Sequence, residues 1–258
     1  MSSIAIYAQS KSTKLPPKVS HAEPLYVDLM RDLGARAGEA EFNLGAGFAS
    51  HRSFNEYNGF VEYEWAPVNR LGLEVQLDYA LFQNDRDLNL GANRPQNGIE
   101  SVQLAGQYTF LVDEKRQTSM AVGYTHAFEL NSFRGIGEGD QFITGMRMNP
   151  IFIAATKWKQ LNMLLYTGPV IENHFLSHQT SLSGTVNTSF LYVLPNTHNF
   201  IGIENNMDFD DHHFKYYIRP QMKLTLLDNL AIGFVTGLPL TTHESTKMEF
   251  TTRIIWEP

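Results

Sequence analysis

The stretch that decides the fold reads Leu71-Gly72-Leu73-Glu74-Val75-Gln76-Leu77-Asp78-Tyr79. Every second side chain from Leu71 to Tyr79 is apolar, and the side chains between them are glycine or polar. Successive side chains of a β-strand point to opposite faces of its sheet. The alternation therefore predicts a strand with one apolar face and one polar face.

The same alternation recurs from residue 39 to the end of the chain, in segments of about 10–15 residues. Strands of globular proteins average about five or six residues, whereas a tilted membrane-crossing strand needs about 9–11. We therefore expect an all-β fold, a closed antiparallel transmembrane β-barrel of about twelve strands, rather than a soluble sandwich or a lipocalin-like protein. The predicted strands are 39–50, 54–66, 71–82, 99–112, 117–129, 142–156, 160–171, 185–194, 199–209, 214–226, 229–239 and 246–256.

The predicted connections alternate between short and longer ones after the first hairpin. Residues 67–70 and 113–116 form tight turns, while 83–98, 130–141 and 172–184 form longer loops. Outer-membrane barrels have short periplasmic turns and longer extracellular loops. With an even number of strands, both ends of the barrel domain then lie on the periplasmic side.

The composition excludes several other classes of protein. The chain has 258 residues, a net charge of −7, 18% charged residues and no cysteine. An acidic chain is not expected to bind nucleic acid, and a chain without cysteine has neither disulfides nor thiolate metal sites. We predict no cofactor and no metal. Apolar runs also stay below the roughly 18 residues of a membrane helix.

The N-terminal region differs in pattern from the rest of the chain. Residues 1–20 are interpreted as a signal-peptide remnant and linker, and residues 21–38 as a short helical segment. Leu25, Leu29 and Leu33 recur at the spacing of four that is typical of an amphipathic helix. Two roles remain open for this segment, a plug inside the barrel or a periplasmic docking element. The polar residues that would carry either role are Asp28, Arg31 and Asp32.

Two features resemble bacterial outer-membrane barrels beyond the alternation itself. The final strand, Met248 to Trp256, resembles their C-terminal strand, although their terminal aromatic is usually the last residue and Trp256 stands two residues earlier. The run from His21 to Arg36, HAEPLYVDLMRDLGAR, resembles a box that precedes such barrels in some uncharacterised bacterial proteins. The resemblance implies location in the bacterial outer membrane, contact with its lipid and insertion by the barrel assembly machinery. A periplasmic partner of the N-terminal segment is a further expectation.

Charged residues on the polar strand faces form the candidate site. A lysine or arginine that faced lipid at mid-depth would cost about 2–4 kcal/mol, so we expect these residues to line the lumen. Strands two and three would supply an acidic wall, roughly opposite a basic wall on strand ten. The predicted lumen-lining residues are Glu62, Glu64, Glu74, Asp78, Arg147, Lys215, Arg219, Lys223 and Arg253.

Two functions remain open for such a lumen. In the first, the charges line a narrow outer-membrane channel or uptake protein for a small polar solute. In the second, they pair across the lumen and close it, and the barrel serves as a structural anchor or assembly partner.

Enzymatic activity is a weaker hypothesis. A cluster comprising Asn173, His174, Ser177, His178 and Ser181 has the residue types of the outer-membrane phospholipase, which is also a twelve-stranded barrel. These residues fall into one predicted loop, and triads depend on geometry, so we do not expect a lipid-modifying hydrolase. Another loop group is predicted to be solvated rather than to bind metal: Asp208, Asp210, Asp211, His212 and His213.

Overall fold

Twelve antiparallel strands form one closed barrel, as the alternation predicts. The structure is a computed structural model that describes residues 15–84, 96–210, 214–241 and 246–258. Each strand pairs with the next, and β1 pairs with β12 to close the sheet. The strands are β1 (Ala40–His51), β2 (Phe54–Val68), β3 (Leu71–Asn84), β4 (Gly98–Asp113), β5 (Thr118–Leu130), β6 (Ile143–Trp158), β7 (Leu161–His174), β8 (Gln179–Val193), β9 (Phe200–Phe209), β10 (Phe214–Leu227), β11 (Leu230–Pro239) and β12 (Thr246–Trp256).

The largest error in the predicted boundaries lies between β7 and β8. Residues 172–184 were expected to form a long loop, but β7 continues to His174 and β8 begins at Gln179. His174 pairs with Gln179, and Glu172 with Ser181, in the regular register. These extra residues are mostly polar on both faces, so they carry no alternation that would mark them as strand.

The outside of the barrel is apolar, and aromatic residues cluster at its tight-turn rim. On β3, Val75 is 40% exposed while its neighbour Glu74 is buried. At the tight-turn end, the ring centroid of Phe42 lies 4.5 Å from that of Tyr63 and 5.6 Å from that of Trp256. An apolar surface of this extent is unsuited to water, and the aromatic cluster has the position of an interfacial girdle. A soluble sandwich or lipocalin-like protein is therefore not what the chain forms.

Trp256 is the last residue of β12. The aromatic that stands two residues before the end of the sequence thus closes the final strand and faces outward, 43% exposed. It pairs with Phe42 on β1 and with Leu230 on β11.

The predicted N-terminal helix is wrong. Residues 21–38 contain bends and turns but no helix. Side chains of the barrel wall bond to the backbone of this segment, and these contacts replace the bonds that a helix would make to itself. Within the described residues, the one α-helix is α1 (Phe133–Glu138), between β5 and β6. No helix in the described parts of the chain has the length and apolar character to cross a membrane.

No sequence pattern predicted α1, because six residues are too few to show a helical period. Its ends are marked by two caps. The side chain of Ser132 accepts a hydrogen bond from the amide of Gly135, and Gly139 ends the helix with φ 87°.

Candidate functional site in the barrel lumen

Residues 15–38, which we call the N-terminal segment, fold into the barrel from its tight-turn end. The amide of Ala22 donates to Asn162 Oδ1 near the start of β7 (3.1 Å). Tyr26 reaches furthest and lies over Arg219, in the middle part of β10. The segment then returns, and the amide of Gly34 donates to Thr109 Oγ1 (3.0 Å) near the end of β4. It therefore occupies the half of the lumen next to the tight turns, which we call the tight-turn half.

Leucines of the segment pack into two apolar areas of the inner wall. Leu29 and Leu33, together with Met30, pack in one cluster with wall residues that include Ile153 and Leu164. The other members of that cluster are Ala105, Ala121, Ile151, Ala155 and Tyr166. Leucines at a spacing of four thus contact the wall without forming a helix.

The second apolar area takes Leu25. It consists of Leu191, Phe200, Ala231, Val235 and Ile255, on β8, β9, β11 and β12. Glycine on the wall makes room for this side chain, because a Cβ at Gly233 would lie 2.8 Å from Leu25 Cδ2.

A buried ion cluster lies between the segment and the wall. Arg253 on β12 is 3% exposed, forms an ion pair with Asp28 of the segment and lies 2.7 Å from Glu62 and 3.6 Å from Glu64. Arg31 of the segment lies 3.6 Å from Glu64. Arg253 of the wall and Arg31 of the segment therefore both lie 3.6 Å from the carboxylate of Glu64.

Two residues of β1 complete this cluster, and the sequence prediction did not include them. Glu41 accepts a hydrogen bond from Arg31 (2.8 Å). The side-chain nitrogen of Asn43, Nδ2, lies within 3.0 Å of carboxylate oxygens of Glu41, Glu62 and Glu64. The alternation of buried Glu41 and Asn43 with exposed Phe42 was a readable signal for their inward direction.

The ion cluster does not offer an open metal site. Carboxylate oxygens of Asp28, Glu41 and Glu64 lie within 4.8 Å of one another. Each of these carboxylates faces Arg31 or Arg253. Guanidinium groups thus already supply the positive charge.

Arg219 lies away from the predicted acidic wall. Its guanidinium carbon is 3.5 Å from the ring centroid of Tyr26 and 4.5 Å from that of Tyr217. It donates to Asn206 (2.5 Å) and to Glu249 on β12 (2.8 Å). Its partners therefore come from β9, β10, β12 and the segment, not from β2 or β3.

Two other predicted lumen residues border the ion cluster. Glu74 lies opposite Glu64 in the register of β2 and β3 and accepts a hydrogen bond from Gln103 (2.9 Å). Lys223 lines a small cavity together with Asp28, Glu41 and Arg253. Asp78 lies further along β3 and accepts a hydrogen bond from Ser101 (2.5 Å).

Two of the predicted cations lie towards the longer loops, in what we call the loop half of the lumen. Arg147 is 53% exposed and lies 3.5 Å from Glu172. Lys215 is exposed and is the second residue of β10. Neither contacts the segment in the described hydrogen bonds and ion pairs.

The remaining polar residues of the segment lie near the tight-turn rim. Asp32 forms an ion pair with Lys18 (2.5 Å), which also binds Glu39 (2.7 Å). His21 Nε2 lies 3.1 Å from Ser119 Oγ. Burial, and to a lesser degree Lys157, lowers the pKa of His21 to about 4, against the opposing charge of Asp32.

The described contacts of the serine and histidine cluster do not join it into a triad. Ser181 donates to Glu172 (3.3 Å), and His174 lies 3.5 Å from Glu129. Among the described contacts, no hydrogen bond joins Ser177 or Ser181 to His174 or His178. Of the acidic and histidine loop group, residues 211–213 lie outside the described residues.

A family model described as HAEPLYID-like matches residues 17–257. The chain belongs to the HAEPLYID-like family. The family name spells residues 21–28 of this chain, HAEPLYVD, with one difference at Val27. These eight residues include Tyr26, the part of the segment that reaches furthest into the lumen.

Solved structures share the fold of this HAEPLYID-like barrel. The COG4313 outer membrane channel from Pseudomonas putida F1 matches with a TM-score of 0.67 and 10% identity, over 88% of this chain and 98% of that one. The KdgM porin matches with a TM-score of 0.57 and 10% identity, over 84% and 98%. The NanC porin matches with 0.54 and 11%, over 84% and 99%. No curated protein matches the chain.

Proposed function

We propose that the protein is a narrow channel for small polar solutes in the bacterial outer membrane, and that the N-terminal segment closes it from the periplasmic side. Its apolar exterior and aromatic rim suit a lipid bilayer. Solved structures of similar fold include an outer membrane channel and two porins. Tight turns on the periplasmic side would place the entry of the segment there.

One observation carries this proposal. The tight-turn half of the lumen is filled by a segment that joins the wall through the chain only before Ala40, and is otherwise held by noncovalent contacts. If wall side chains alone filled the lumen, there would be no path to open. Because the N-terminal segment can leave the lumen, a passage can open without any change in the barrel.

The same contacts favour one alternative function. The buried ion cluster and the two apolar areas are the kind of contacts that hold a lumen closed permanently. A permanently closed barrel would serve as a structural anchor or assembly partner in the outer membrane. In either case lipid and the barrel assembly machinery are expected partners, and a periplasmic protein that binds the segment is a further one. We propose no enzymatic role.

A disulfide that locks the segment would separate the two functions. The chain has no cysteine, so a double variant Leu25→Cys with Gly233→Cys introduces one defined pair. A Cβ at Gly233 would lie 3.3 Å from Leu25 Cγ, which is approximately where the sulfur of a cysteine at residue 25 would lie, so the two sulfurs can approach bonding distance.

The measurement is conductance of this variant in planar bilayers, before and after reduction. We expect a silent barrel when the disulfide is formed and opening events once it is reduced. The controls that cannot form the lock are Leu25→Cys alone and Leu25→Ser with Gly233→Cys, because Gly233→Cys alone would bring its Cβ to 2.8 Å from Leu25 Cδ2 and displace the segment by itself. Both controls should conduct under both conditions. A barrel that stays silent after reduction, with both controls silent as well, would overturn the channel and favour the anchor.

A further inference from the structure

The wall of the lumen holds the main chain of the N-terminal segment, not only its side chains. The amide of Leu25 donates to Gln221 Oε1 (2.7 Å), and the amide of Val27 donates to Glu204 Oε1 (3.0 Å). Gln107 Nε2 donates to the carbonyl of Arg31 (2.7 Å). With the amides of Ala22 and Gly34, five main-chain groups are bonded to wall side chains. Contacts of this kind do not depend on which side chains the bound chain carries.

The two apolar areas of the wall add a requirement for apolar side chains. Leu191, Phe200 and Ile153 are at most 2% exposed while the segment is present. If the segment left, these areas would face water, which is unfavourable for apolar surface. They therefore suit a bound chain with apolar side chains better than a polar solute.

The ion cluster adds a third requirement. Arg253 of the wall pairs with Asp28, and Glu41 of the wall pairs with Arg31. An acid and a base three residues apart are thus each met by the opposite charge on the wall. Amide, apolar and charged groups together describe a site for a polypeptide.

We propose that the lumen wall is a binding site for a looped, non-helical peptide with an apolar side chain at every fourth residue, and that residues 22–34 occupy this site as a resident mimic. The inference rests on the proposed function, because the resident segment must leave before another peptide enters. It makes a short peptide, rather than any small polar solute, the class of compound that the channel takes up or releases.

The test needs a barrel that folds with its segment and loses it afterwards. A protease recognition sequence is inserted between Gly38 and Glu39, where Gly38 has no heavy atom within 4 Å of a Cβ built on it. The full chain is folded, cut and mixed with an excess of synthetic peptide. Release of residues 1–38 is followed by mass spectrometry, and binding of a fluorescent peptide by anisotropy.

Three synthetic peptides distinguish binding that depends on the pattern of leucines and charges from binding that depends on composition alone. The first has the sequence of residues 15–38. The second keeps only the leucines at every fourth residue with the acid and the base, and has alanine or serine elsewhere. The third has the composition of the second in scrambled order. We expect the second peptide to displace the segment at a concentration at least about tenfold below that of the scrambled one, which corresponds to about 1.4 kcal/mol.

A wall variant supplies the matched check on main-chain recognition. Gln221→Leu removes the acceptor for the amide of Leu25 and should weaken the first two peptides by the same factor, about three- to tenfold for one hydrogen bond. Conductance of the cut barrel, measured in parallel, tests the proposed function separately. Peptide binding in a barrel that never conducts would overturn the channel and support the peptide site. Conductance with no preference for the patterned peptide over the scrambled one would overturn the peptide site and leave the channel.

Discussion

The two halves of the lumen hold similar charges in different surroundings. In the tight-turn half, Arg253 is 3% exposed and touches three carboxylates, one of them from the N-terminal segment. In the loop half, Arg147 is 53% exposed and has Glu172 at 3.5 Å. Both arginines point inward from a strand, so the direction of the side chain does not distinguish them. What distinguishes them is whether the segment covers them.

The comparison teaches where a change of charge matters. Removing one partner from a buried ion cluster leaves the other charges uncompensated and costs about 3–5 kcal/mol. An exposed pair contributes about 0–1 kcal/mol. The tight-turn half should therefore respond strongly to substitutions and the loop half weakly. Labelling of Ala22→Cys by a maleimide, in a chain without other cysteines, reports how often the segment leaves.

The largest effect is expected from Arg253→Gln. The substitution removes the ion pairs to Asp28 and Glu62, and leaves their carboxylates buried without a cation. The free energy that holds the segment in the lumen should fall by about 3–5 kcal/mol, and labelling of Ala22→Cys should accelerate by at least about a hundredfold. Arg253→Lys, which keeps the charge, is the control, and its labelling rate should lie between those of the unchanged protein and Arg253→Gln. Unchanged labelling in Arg253→Gln would contradict the role of the ion cluster in closure.

Leu29→Ala tests the apolar part of the same half. Leu29 is 0% exposed and packs in the larger apolar cluster, so the truncation leaves a cavity and should cost about 2–5 kcal/mol. The matched control is Leu15→Ala, at the start of the segment, where the side chain is 66% exposed. It should change labelling by less than about threefold. Equal effects of the two substitutions would mean that the apolar areas do not hold the segment.

Much of the barrel could be predicted from the sequence, because the alternation reports directly which side of a sheet each residue faces. Glu74 and Val75 lie on the predicted faces of β3, and the twelve strands are those that the pattern indicates. The N-terminal segment could not be predicted in the same way. A spacing of four between Leu25 and Leu29 indicates a helix only where the backbone bonds to itself. Here wall residues that are distant in sequence supply the hydrogen bonds to the main chain of the segment, and no local sequence pattern predicts these bonds.

The contacts between the charged residues could also not be predicted from the sequence. Arg253 was expected to line the lumen, without a stated partner. Closure of the barrel places β12 beside β1, which lies beside β2, and Arg253 therefore reaches Glu62 directly. The pairing of the first strand with the last fixes this contact, which the sequence expectation did not include.

A pH titration gives a moderate effect in the tight-turn half. The pKa of His21 is lowered to about 4 in the closed state, first by burial and then by Lys157, whereas a released segment has the ordinary value of about 6.5. The released segment therefore binds a proton between pH 6.5 and 4 that the closed one does not. Closure should weaken as the pH falls through this window, by up to about 1.4 kcal/mol for each pH unit, and level off below it.

The measurement is the labelling rate of Ala22→Cys as a function of pH, compared between the histidine and the His21→Gln background. Carboxyl groups such as Asp32 titrate in both backgrounds, so the difference isolates His21. We expect the two curves to coincide above pH 7 and to separate below pH 6. Parallel curves over the whole range would show that His21 does not hold the segment through its neutral form.

Arg147→Gln should give the smallest effect and tests the loop half. The ion pair with Glu172 is half exposed and long, so its loss should change the stability of the barrel by less than about 1 kcal/mol. It should leave labelling of Ala22→Cys unchanged, because Arg147 has no described contact with the segment. In the reduced form of the disulfide variant the same substitution should shift ion selectivity towards cations, since it removes a positive charge from the path. A strong increase in labelling would show that the two halves are coupled, and that the closed state depends on the whole lumen and not on its tight-turn half.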